Sequence, residues 1–268
     1  MREIGSGGFG VVFLAHARHL GIRVAVKRFK RTAGDTQKAL SDWARESALH
    51  QRISHPNILK VHDAFLDRGE LYLVTELASG SLDDLCVAGA PLAFPRNRDS
   101  VIRAGIHLSS ALHFLHEGMS SSTRVVHRDV TPKNVFYFRR TSLFKLGDFG
   151  ISKRLNHPDD VALTHVANWR FVSFDLIRDG FTVPQSDLFQ LGLVLHSIVA
   201  RRPIVPIGAS ISQARRAIAR GDAHKAIAAT TDIDPTVRSV LKRLVIRDRD
   251  RRFLSARDVH QAFVALAR

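Results

Sequence analysis

The chain contains 268 residues, of which 45% are hydrophobic and 24% are charged, and its 40 lysines and arginines exceed its 25 acidic residues by 15. This composition excludes a disordered chain, a collagen-like chain and a disulfide-rich scaffold. The net charge of +15 is consistent with nucleic acid, an anionic membrane or an acidic substrate as a partner, and equally with a compositional bias that has no functional meaning.

Cysteine content and hydropathy bear on the location of the protein. The single cysteine, Cys86, excludes an intrachain disulfide and a zinc site made of several cysteines. The longest apolar stretch, residues 191–200, is about half of the roughly twenty residues that cross a bilayer. The first residues lack the apolar core of a secretory signal. We therefore expect a cytoplasmic protein without a transmembrane segment.

The first eighty or so residues have the pattern of β-strands. Runs of apolar and β-branched residues are separated by turns at Gly21 and Gly69. We predict strands at residues 11–14, 23–29, 59–66 and 71–76, and one helix at about residues 35–53.

From about Ser81 onward the apolar residues follow the helical period. One stripe consists of Val101, Leu108, Leu112 and Leu115, and another of Leu188, Leu191, Leu195 and Ile198. Further helices are predicted at residues 211–220, 235–244 and 255–267. A β-rich first part followed by a helical remainder predicts an α+β fold with two lobes that join near residues 78–81.

A glycine-rich segment lies at the start of the strand region. Residues 5–12 read Gly-Ser-Gly-Gly-Phe-Gly-Val-Val, which has the spacing G-x-G-x-x-G-x-V. Glycine lets the backbone approach a phosphate chain without interference from Cβ. The pattern alone is also typical of a dinucleotide-binding turn or a plain hairpin. Strand residues follow the segment where a dinucleotide-binding fold would begin a helix, which disfavours the dinucleotide alternative.

Lys27 lies at the end of the apolar strand segment Val-Ala-Val-Lys. A lysine with apolar neighbours is costly to bury unless a carboxylate or a phosphate pairs with it. Glu46, on the predicted helix, can supply that carboxylate. The alternative is a strand lysine whose ammonium group reaches solvent.

Two further motifs follow in the helical part of the chain. Residues 127–134 read H-R-D-V-T-P-K-N, and residues 148–150 read D-F-G. Together with the glycine segment and V-A-V-K, in this order, they resemble the eukaryotic-type (Hanks-type) protein kinase catalytic domain over essentially the whole chain. Residues 55–58, 186–192 and 248–252 resemble further elements of that family.

The resemblance implies a two-lobed kinase-like fold, with a small N-lobe at residues 1–78 and a larger helical C-lobe at residues 79–268. It also implies an ATP- and Mg²⁺-dependent enzyme that transfers phosphate to a protein hydroxyl. An ATP-binding pseudokinase scaffold is the main alternative. A small-molecule phosphotransferase is disfavoured by the glycine segment and the full H-R-D motif, and no recognisable nucleic-acid-binding motif accompanies the charge.

Roles for individual residues follow from the same resemblance. Lys27, positioned by Glu46, would hold the α- and β-phosphates of ATP. Asn134 and Asp148 would bind Mg²⁺, and Asp129 would accept the proton of the substrate hydroxyl. The other residues expected at the nucleotide are Ile4, Gly5, Gly7, Gly10, Val12, Ala25, Thr75, Glu76, Ala78 and Phe136.

The chain departs from the family pattern near the expected catalytic aspartate. Thr131 occupies the position where serine/threonine kinases usually carry a lysine that contacts the transferred phosphate. Lys133, where many tyrosine kinases have arginine, could supply that charge. The expected docking loop lacks the usual Gly-Thr and Ala-Pro-Glu, although Asp175 can still pair with Arg252. We expect serine or threonine as the acceptor, with a tyrosine or dual-specificity kinase as the alternative.

Basic residues also predict regulation and a partner. Arg128 and Lys153 resemble the pair that binds a phosphorylated activation loop, with Thr164 as the expected autophosphorylation site. Alternatively, Arg128 pairs with a fixed acid such as Asp160. His50 stands in a usually apolar position and is expected to be a core histidine. Further arginines, at positions 215, 216, 220 and 247–252, lie away from the motifs and indicate an acidic substrate or docking partner.

Overall fold

The computed structural model describes residues 1–7, 10–29, 47, 51, 53–86, 97–117, 124–147, 153–155, 169–200 and 203–268. Contacts divide the chain into two compact units, Met1–Ser79 and Gly80–Arg268. The first unit is built on a β-sheet and the second is mainly helical. The predicted α+β class, with a β-rich first lobe and a helical second lobe, is therefore confirmed.

The first unit contains a five-stranded antiparallel sheet with the strand order β1-β2-β3-β5-β4. Its strands are β1 (Arg2–Gly7), β2 (Gly10–Ala17), β3 (Ile22–Phe29), β4 (Val61–Asp67) and β5 (Glu70–Glu76). The four predicted strands are present with shifted ends. The central strand, β3, buries Val24 and Val26 on one face, at 2% and 7% exposure, as its apolar alternation requires.

Two of the turns between these strands need residues with positive φ. Arg68 and Gly69 join β4 to β5 with φ values of 48° and 77°. A two-residue hairpin with positive φ at both positions matches the right-handed twist of the flanking strands. Gly21, with φ of 66°, lies in the turn between β2 and β3. Both predicted turns are confirmed.

The helices of the second unit make up most of its core. They are α1 (Leu82–Cys86), α2 (Arg98–Glu117), α3 (Phe174–Asp179), α4 (Pro184–Ala200), α5 (Ile211–Ala219), α6 (Asp222–Ala229), α7 (Pro235–Leu244) and α8 (Ala256–Leu266). Within the residues that the structure describes, no helix combines the length and the apolar character that crossing a membrane requires.

Short strands in the second unit position the loop that carries the H-R-D motif. Strands β6 (Gly80–Ser81), β8 (Val135–Phe138) and β9 (Leu143–Leu146) form one antiparallel sheet, and β7 (Arg124–Val126) pairs with β10 (Lys153–Leu155). Residues 127–131 run from β7 to a 3-10 turn at Pro132–Asn134, which leads directly into β8. This loop is therefore fixed at both ends by strands.

Helices α2 and α4 form the centre of the helical core. The two predicted apolar stripes are confirmed, because all eight of their residues have at most 1% exposure. Gly105 of α2 allows α8 to approach closely, since a Cβ at this position would lie 2.6 Å from the ring of Phe263. Two long helices and α8 thus provide a rigid base for the loops of this unit.

The later helices agree with the sequence-based prediction except for α6. Helices α5, α7 and α8 match the predicted segments, whereas no helix was predicted at the position of α6. Gly221, with φ of 76°, separates α6 from α5 by placing one residue in the left-handed region. The helix predicted at about residues 35–53 falls mostly outside the described residues.

Candidate active site

Most residues expected at the nucleotide lie on neighbouring strands of the first unit, whereas Phe136 lies on β8 of the second unit. Ile4, Gly5 and Gly7 are on β1, Gly10 and Val12 on β2, Ala25 and Lys27 on β3, and Thr75 and Glu76 on β5, with Ala78 just after it. Residues 8 and 9 of the glycine segment lie outside the described part of the chain. The sheet therefore brings together most of the residues that the glycine segment and the strand lysine predicted.

Strand register places several of these residues on one face of the sheet. Val12 lies opposite Lys27, and Ala25 lies opposite Thr75. Directly opposed residues in antiparallel strands point to the same face, and residues two apart on one strand do so as well. Lys27 is half-buried, and its Nζ lies 4.8 Å from the centroid of the Phe29 ring. The expected ion-pair partner, Glu46, lies outside the described residues.

Gly10 has a structural requirement that the motif alone did not reveal. A Cβ at this position would lie 2.2 Å from the carbonyl oxygen of Arg28 on β3. No other atom lies within 4 Å of the corresponding position at Gly5. Close packing of β2 on β3 therefore explains the glycine at position 10, whereas Gly5 borders open space that a bound molecule could fill.

Glu76 uses both its backbone and its side chain to hold β5 against Lys60. Its N–H donates to the Lys60 carbonyl at 3.0 Å, and its carboxylate Oε1 accepts from the Lys60 N–H at 2.8 Å. Any backbone contact that Glu76 makes to a nucleotide must therefore use a group other than its N–H. Burial, followed by the Lys60 charge, lowers the pKa of the neighbouring His62.

In the second unit, Asn134 fixes the side chain of Asp129. The Asn134 Nδ2 donates to the backbone carbonyl of Asp129 at 2.9 Å and to its carboxylate Oδ2 at 2.8 Å. Asn134 is 5% exposed, and its own N–H donates to the Thr131 carbonyl at 3.0 Å. The Asp129 carboxylate thus has a defined orientation in a loop that also ends in a fixed turn.

The backbone just before Asp129 is held by a buried carboxylate from α4. Asp187, with 0% exposure, accepts from the N–H of His127 at 2.8 Å and from the N–H of Arg128 at 2.7 Å. The Nε2 of His116, on α2, lies 2.8 Å from the same carboxylate. Arg128 has φ of 72°, which is unfavourable for a residue with a Cβ. Asp187 offsets that cost with two charge-assisted hydrogen bonds.

Gln190, one turn after Asp187, holds the same loop from a second point. Its Oε1 accepts from the Val130 N–H at 3.1 Å, and its Nε2 donates to the carbonyls of Arg128 and Phe171 at 3.2 and 3.0 Å. Gln190 is 6% exposed. It therefore connects the H-R-D loop to the 3-10 turn Trp169–Phe171.

The sequence pattern did not indicate a role for Gln190, although this residue lies within residues 186–192, which resemble an element of the kinase family. The available signal was a glutamine in an otherwise apolar helix, because a buried amide must find hydrogen-bond partners. Two of its partners, Val130 and Phe171, lie about sixty and nineteen residues away in the chain, so no local sequence pattern indicates them.

The ring of His127 completes the loop. Its Nδ1 accepts from the N–H of Asp129 at 3.3 Å, so its Nε2 carries the proton and donates to the Gly147 carbonyl at 3.2 Å. The N–H of Gly147 donates in turn to the carbonyl of Asn134 at 2.9 Å. These bonds fix Gly147, the residue before the D-F-G segment, whose own residues lie outside the described part of the chain.

A buried ion pair joins α3 to the segment just before α8. The Nη1 of Arg252 lies 2.8 Å from the Oδ2 of Asp175, and both side chains have 0% exposure. The pairing predicted from the sequence is confirmed. The structure adds two partners that were not predicted: Ser186 donates to Asp175 at 3.1 Å, and the Nε of Arg249 lies 3.3 Å from it.

Comparison with known proteins identifies the family. A sequence model described as the protein kinase domain matches residues 1–264. The chain belongs to the protein kinase family.

Several curated kinases are similar to this chain. It is 30% identical over 214 residues to the L-type lectin-domain containing receptor kinase V.9 of Arabidopsis thaliana, which covers 78% of this chain and 31% of the relative. It is 30% identical over 251 residues to the membrane-associated tyrosine- and threonine-specific cdc2-inhibitory kinase wee-1.3 of Caenorhabditis elegans, covering 90% and 35%. The SNF-related serine/threonine-protein kinase of Rattus norvegicus is 29% identical over 205 residues, covering 75% and 26%. The chain thus spans about a third or less of the length of these relatives.

Two residues that depart from the usual kinase pattern have opposite environments. Thr131 is 1% exposed, whereas Lys133 is exposed. The Thr131 side chain is therefore not presented to solvent. The exposed ammonium group in this part of the kinase loop belongs to Lys133.

Strand β10, which carries Lys153, pairs with β7, which leads to Arg128. Lys153, on β10, lies opposite Val126 of β7, two residues before Arg128. Its side chain is not among the described parts of the structure, and Thr164, Asp160 and His50 lie outside the described residues altogether.

Of the two residues expected to bind Mg²⁺, Asn134 is described by the structure. The Nδ2 of Asn134 is committed to Asp129, so the amide oxygen Oδ1 is the atom with which Asn134 would bind a cation. An amide oxygen suits Mg²⁺, a hard cation that prefers oxygen ligands. Asp148, the second expected ligand, lies outside the described residues, and among the described ones no three His, Cys, Asp or Glu side chains form a metal-binding group.

Proposed function

We propose that this chain is an ATP-dependent protein kinase that transfers the γ-phosphate of ATP to a serine or threonine hydroxyl. The observation that carries the proposal is the double hydrogen bond from Asn134 to Asp129. It orients the one carboxylate that phosphoryl transfer needs next to the substrate, on a loop that Asp187 and Gln190 hold rigid.

Asp129 is proposed as the acceptor of the substrate proton. The hydroxyl oxygen forms a bond to the γ-phosphorus, the bond from that phosphorus to the bridging oxygen of ADP breaks, and the hydroxyl proton passes to the Asp129 carboxylate. Because Asp129 is only partly buried, substrate can reach it. No raised pKa is needed for this role, since a carboxylate within hydrogen-bond reach is sufficient.

Mg²⁺, held by the Asn134 amide oxygen and Asp148, would neutralise the charge of the phosphates. Lys27 is proposed to bind the α- and β-phosphates with Glu46 as its partner. In the first unit the other proposed nucleotide contacts are Ile4, Gly5, Gly7, Gly10, Val12, Ala25, Thr75, Glu76 and Ala78, and in the second unit Phe136. The shared face of Val12, Ala25, Lys27 and Thr75 supports this assignment.

Serine or threonine is proposed as the acceptor for two reasons. Two of the three kinases described above are not described as tyrosine-specific, and one of them is a serine/threonine kinase by name. In addition, Lys133 presents its charge two residues beyond the buried Thr131. We propose that Lys133 contacts the transferred phosphate and that Thr131 acts only by packing. Thr164 is proposed as an autophosphorylation site, and the single cysteine supports a cytoplasmic location.

The proposal is tested by radiolabelled phosphate transfer to the chain itself and to a mixed protein substrate. We expect Asp129→Asn to lower incorporation by about 10²- to 10⁴-fold, as for loss of a positioned acid–base group. Lys27→Met should also abolish labelling. The matched controls, Asp232→Asn and Lys225→Met, change exposed residues and should retain wild-type labelling.

Phosphoamino-acid analysis of the product identifies the hydroxyl class. Phosphoserine or phosphothreonine is expected, and phosphotyrosine as the main product would overturn the acceptor assignment. ATP binding measured by calorimetry separates the alternatives: wild type that binds ATP but labels no protein would be a scaffold and would contradict the proposed activity.

A further inference from the structure

An open groove of about 780 Å³ lies along the first half of α5. It is lined by Ser210, Ile211, Ser212, Arg215 and Arg216, and we call it the α5 groove. The helix begins at a capping box, in which the Ser210 hydroxyl accepts from the N–H of Gln213 and the Gln213 side chain accepts from the N–H of Ser210. Its first turn is therefore well defined although it faces solvent.

The groove combines apolar and cationic surface. Helix α5 buries Ala214 and Ile218 on its inner side, both with 0% exposure. Ile211, on its outer side, is 53% exposed, and Ile207 just before the helix is 80% exposed. Both isoleucines therefore leave half or more of their surface uncovered by the described residues. The two arginines beside Ile211 are also exposed.

The two arginines of the groove differ from those arginines of the second unit that are paired with an acidic residue. Arg178, Arg220, Arg249 and Arg252 each form an ion pair with an aspartate. Among the residues that the structure describes, Arg215 and Arg216 form none. The aspartate nearest to them in sequence, Asp222, is already paired with Arg220 and Lys225. The groove thus carries two positive charges without internal compensation from the described chain.

Arg215 also links the groove to the segment that leads to the catalytic loop. Its guanidinium lies 5.8 Å from the centroid of the Trp169 ring, a distance typical of a cation–π contact. Trp169 begins the 3-10 turn whose Phe171 carbonyl accepts from Gln190, and Gln190 holds Val130. A segment bound in the groove would therefore be attached to the same rigid framework as Asp129.

We propose that the α5 groove binds an acidic segment of the protein substrate, with carboxylates on Arg215 and Arg216 and an apolar side chain on Ile211. Charge complementarity selects the occupant: two uncompensated guanidiniums beside an exposed apolar residue match a peptide with Asp or Glu next to a hydrophobic residue. The inference rests on the proposed kinase activity and specifies its substrate class.

Two peptides with the same phosphorylatable core test the proposal by steady-state kinetics. One is the core alone, and the other carries an added segment rich in Asp and Glu around one leucine. For wild type, the acidic segment should lower KM by about tenfold and leave kcat unchanged, because it adds binding that is equal in ground and transition states. An unchanged KM, or a lower KM for a lysine-rich segment, would overturn the proposal.

Matched arginine variants locate the effect. In Arg215→Gln/Arg216→Gln the advantage of the acidic segment should disappear while kcat for the core peptide stays at the wild-type value. Arg251→Gln/Arg257→Gln removes the same charge from exposed positions outside the groove and should keep the advantage. Equal loss in both double variants would mean general electrostatic attraction and would refute a specific site.

Charge reversal provides a rescue that a merely structural effect cannot produce. Arg215→Glu/Arg216→Glu should prefer the lysine-rich segment over the acidic one, and failure to reverse the preference would contradict the proposal. Thermal unfolding of each variant shows that the fold is retained. If a variant does not fold, Ile211→Ser is used in its place. This substitution should reduce the KM advantage of the leucine-containing acidic segment by at least half.

Direct binding separates this proposal from the kinase activity. Fluorescence anisotropy with the labelled acidic peptide should give a dissociation constant at least fivefold weaker for Arg215→Gln/Arg216→Gln than for wild type. This difference in dissociation constant can be measured even if no phosphate is transferred. The groove can therefore be tested even if the proposed kinase activity is absent. Displacement of the peptide by a short oligonucleotide of equal charge, with equal affinity, would overturn the assignment to an acidic protein segment.

Discussion

Asp175 and Arg252 form an ion pair in which neither side chain is exposed to solvent, although they lie 77 residues apart in the chain. Removal of one partner leaves the other charge buried without its counterion. We expect Asp175→Ala to lower the free energy of unfolding by about 3–5 kcal/mol. Urea denaturation of the purified protein measures the change.

The control for this pair is an exposed one. Arg220 and Asp222 lie 2.9 Å apart, with side-chain exposures of 65% and 31%. Asp222→Asn should cost no more than about 0.5 kcal/mol, since solvent screens such pairs. Similar costs for the two substitutions would show that the pair of Asp175 and Arg252 is not the structural link inferred from its burial.

Gln190 is expected to affect turnover more than nucleotide binding. Gln190→Ala removes the partners of the Val130 N–H and the Phe171 carbonyl, both in the loop region that holds Asp129. We expect kcat to fall by about tenfold, in line with the loss of positioning at a catalytic group, with KM for ATP within about twofold of wild type. Steady-state kinetics with a protein substrate gives both constants.

Gln185, on the same helix, supplies the control for Gln190. Among the described residues its side chain has one hydrogen-bond partner, the Leu254 carbonyl at 3.3 Å, which lies outside the H-R-D loop. Gln185→Ala should leave kcat unchanged. A substitution that separates the two roles of Gln190 is Gln190→Glu, which keeps an acceptor for Val130 but cannot donate to Phe171. Wild-type kcat in Gln190→Ala would refute the positioning role.

Two glycines of the glycine-rich segment should respond differently to alanine. At Gly10 the new Cβ would meet the Arg28 carbonyl oxygen at 2.2 Å, so strands β2 and β3 must separate. We expect Gly10→Ala to destabilise the protein by about 2–3 kcal/mol, as for overpacking in a rigid region. Gly5→Ala meets no atom within 4 Å and should unfold at the wild-type temperature. Thermal unfolding compares the two, and equal Tm values would contradict the packing explanation.

His107 is expected to make stability depend on pH. Its Nδ1 accepts from the N–H of Phe144 at 3.2 Å, and burial, with smaller contributions from the charges of Arg103 and His260, lowers its pKa to about 4. The unfolded chain, with a pKa near 6.5, binds a proton more readily. The contribution of His107 is therefore fully present above pH 6.5 and is lost as the pH falls from 6.5 towards 4.

The lowered pKa of His107 sets the size of its contribution to the free energy of unfolding. A full shift corresponds to about 3 kcal/mol, which solvent screening at this partly exposed ring reduces to about 1–2 kcal/mol. His107→Asn keeps a side-chain acceptor for the Phe144 N–H but cannot take up a proton in this range. Urea denaturation at pH 7.5 and pH 5 should show a smaller pH difference for this variant than for wild type. The same difference in both proteins would exclude His107 as its source.

Local patterns in the sequence predicted the architecture well. The alternation in β3 and the helical stripes of α2 and α4 follow directly from periods of two and 3.6 residues, because each element buries one side. Helix α6 was missed since it is short and places only Ala223 and Ile227 in the core, which is too few apolar residues for a period to be recognised.

The hydrogen bonds that hold the candidate active site were harder to predict from the sequence. The motifs identified Asp129 and Asn134 as residues of interest, and the bond between them is local. Asp187 and Gln190, by contrast, act on backbone groups of a loop about sixty residues earlier. Every residue except proline has a backbone N–H, so the partners of Asp187 and of the Gln190 Oε1 cannot be recognised by residue type.

The carboxylate of Asp187 has a consequence for the motions of the second unit. The N–H groups of His127 and Arg128 each donate to one oxygen of this buried carboxylate, so local fraying of the loop would leave the carboxylate in the core without these partners. Their exchange with deuterium should therefore occur only when the helical unit opens cooperatively, at rates close to those of the α4 core. Outside the helices, the slowest-exchanging amides should then be those of the loop that carries Asp129. This loop, with the proposed proton acceptor, would stay rigid, and any motion that substrate exchange requires would occur elsewhere.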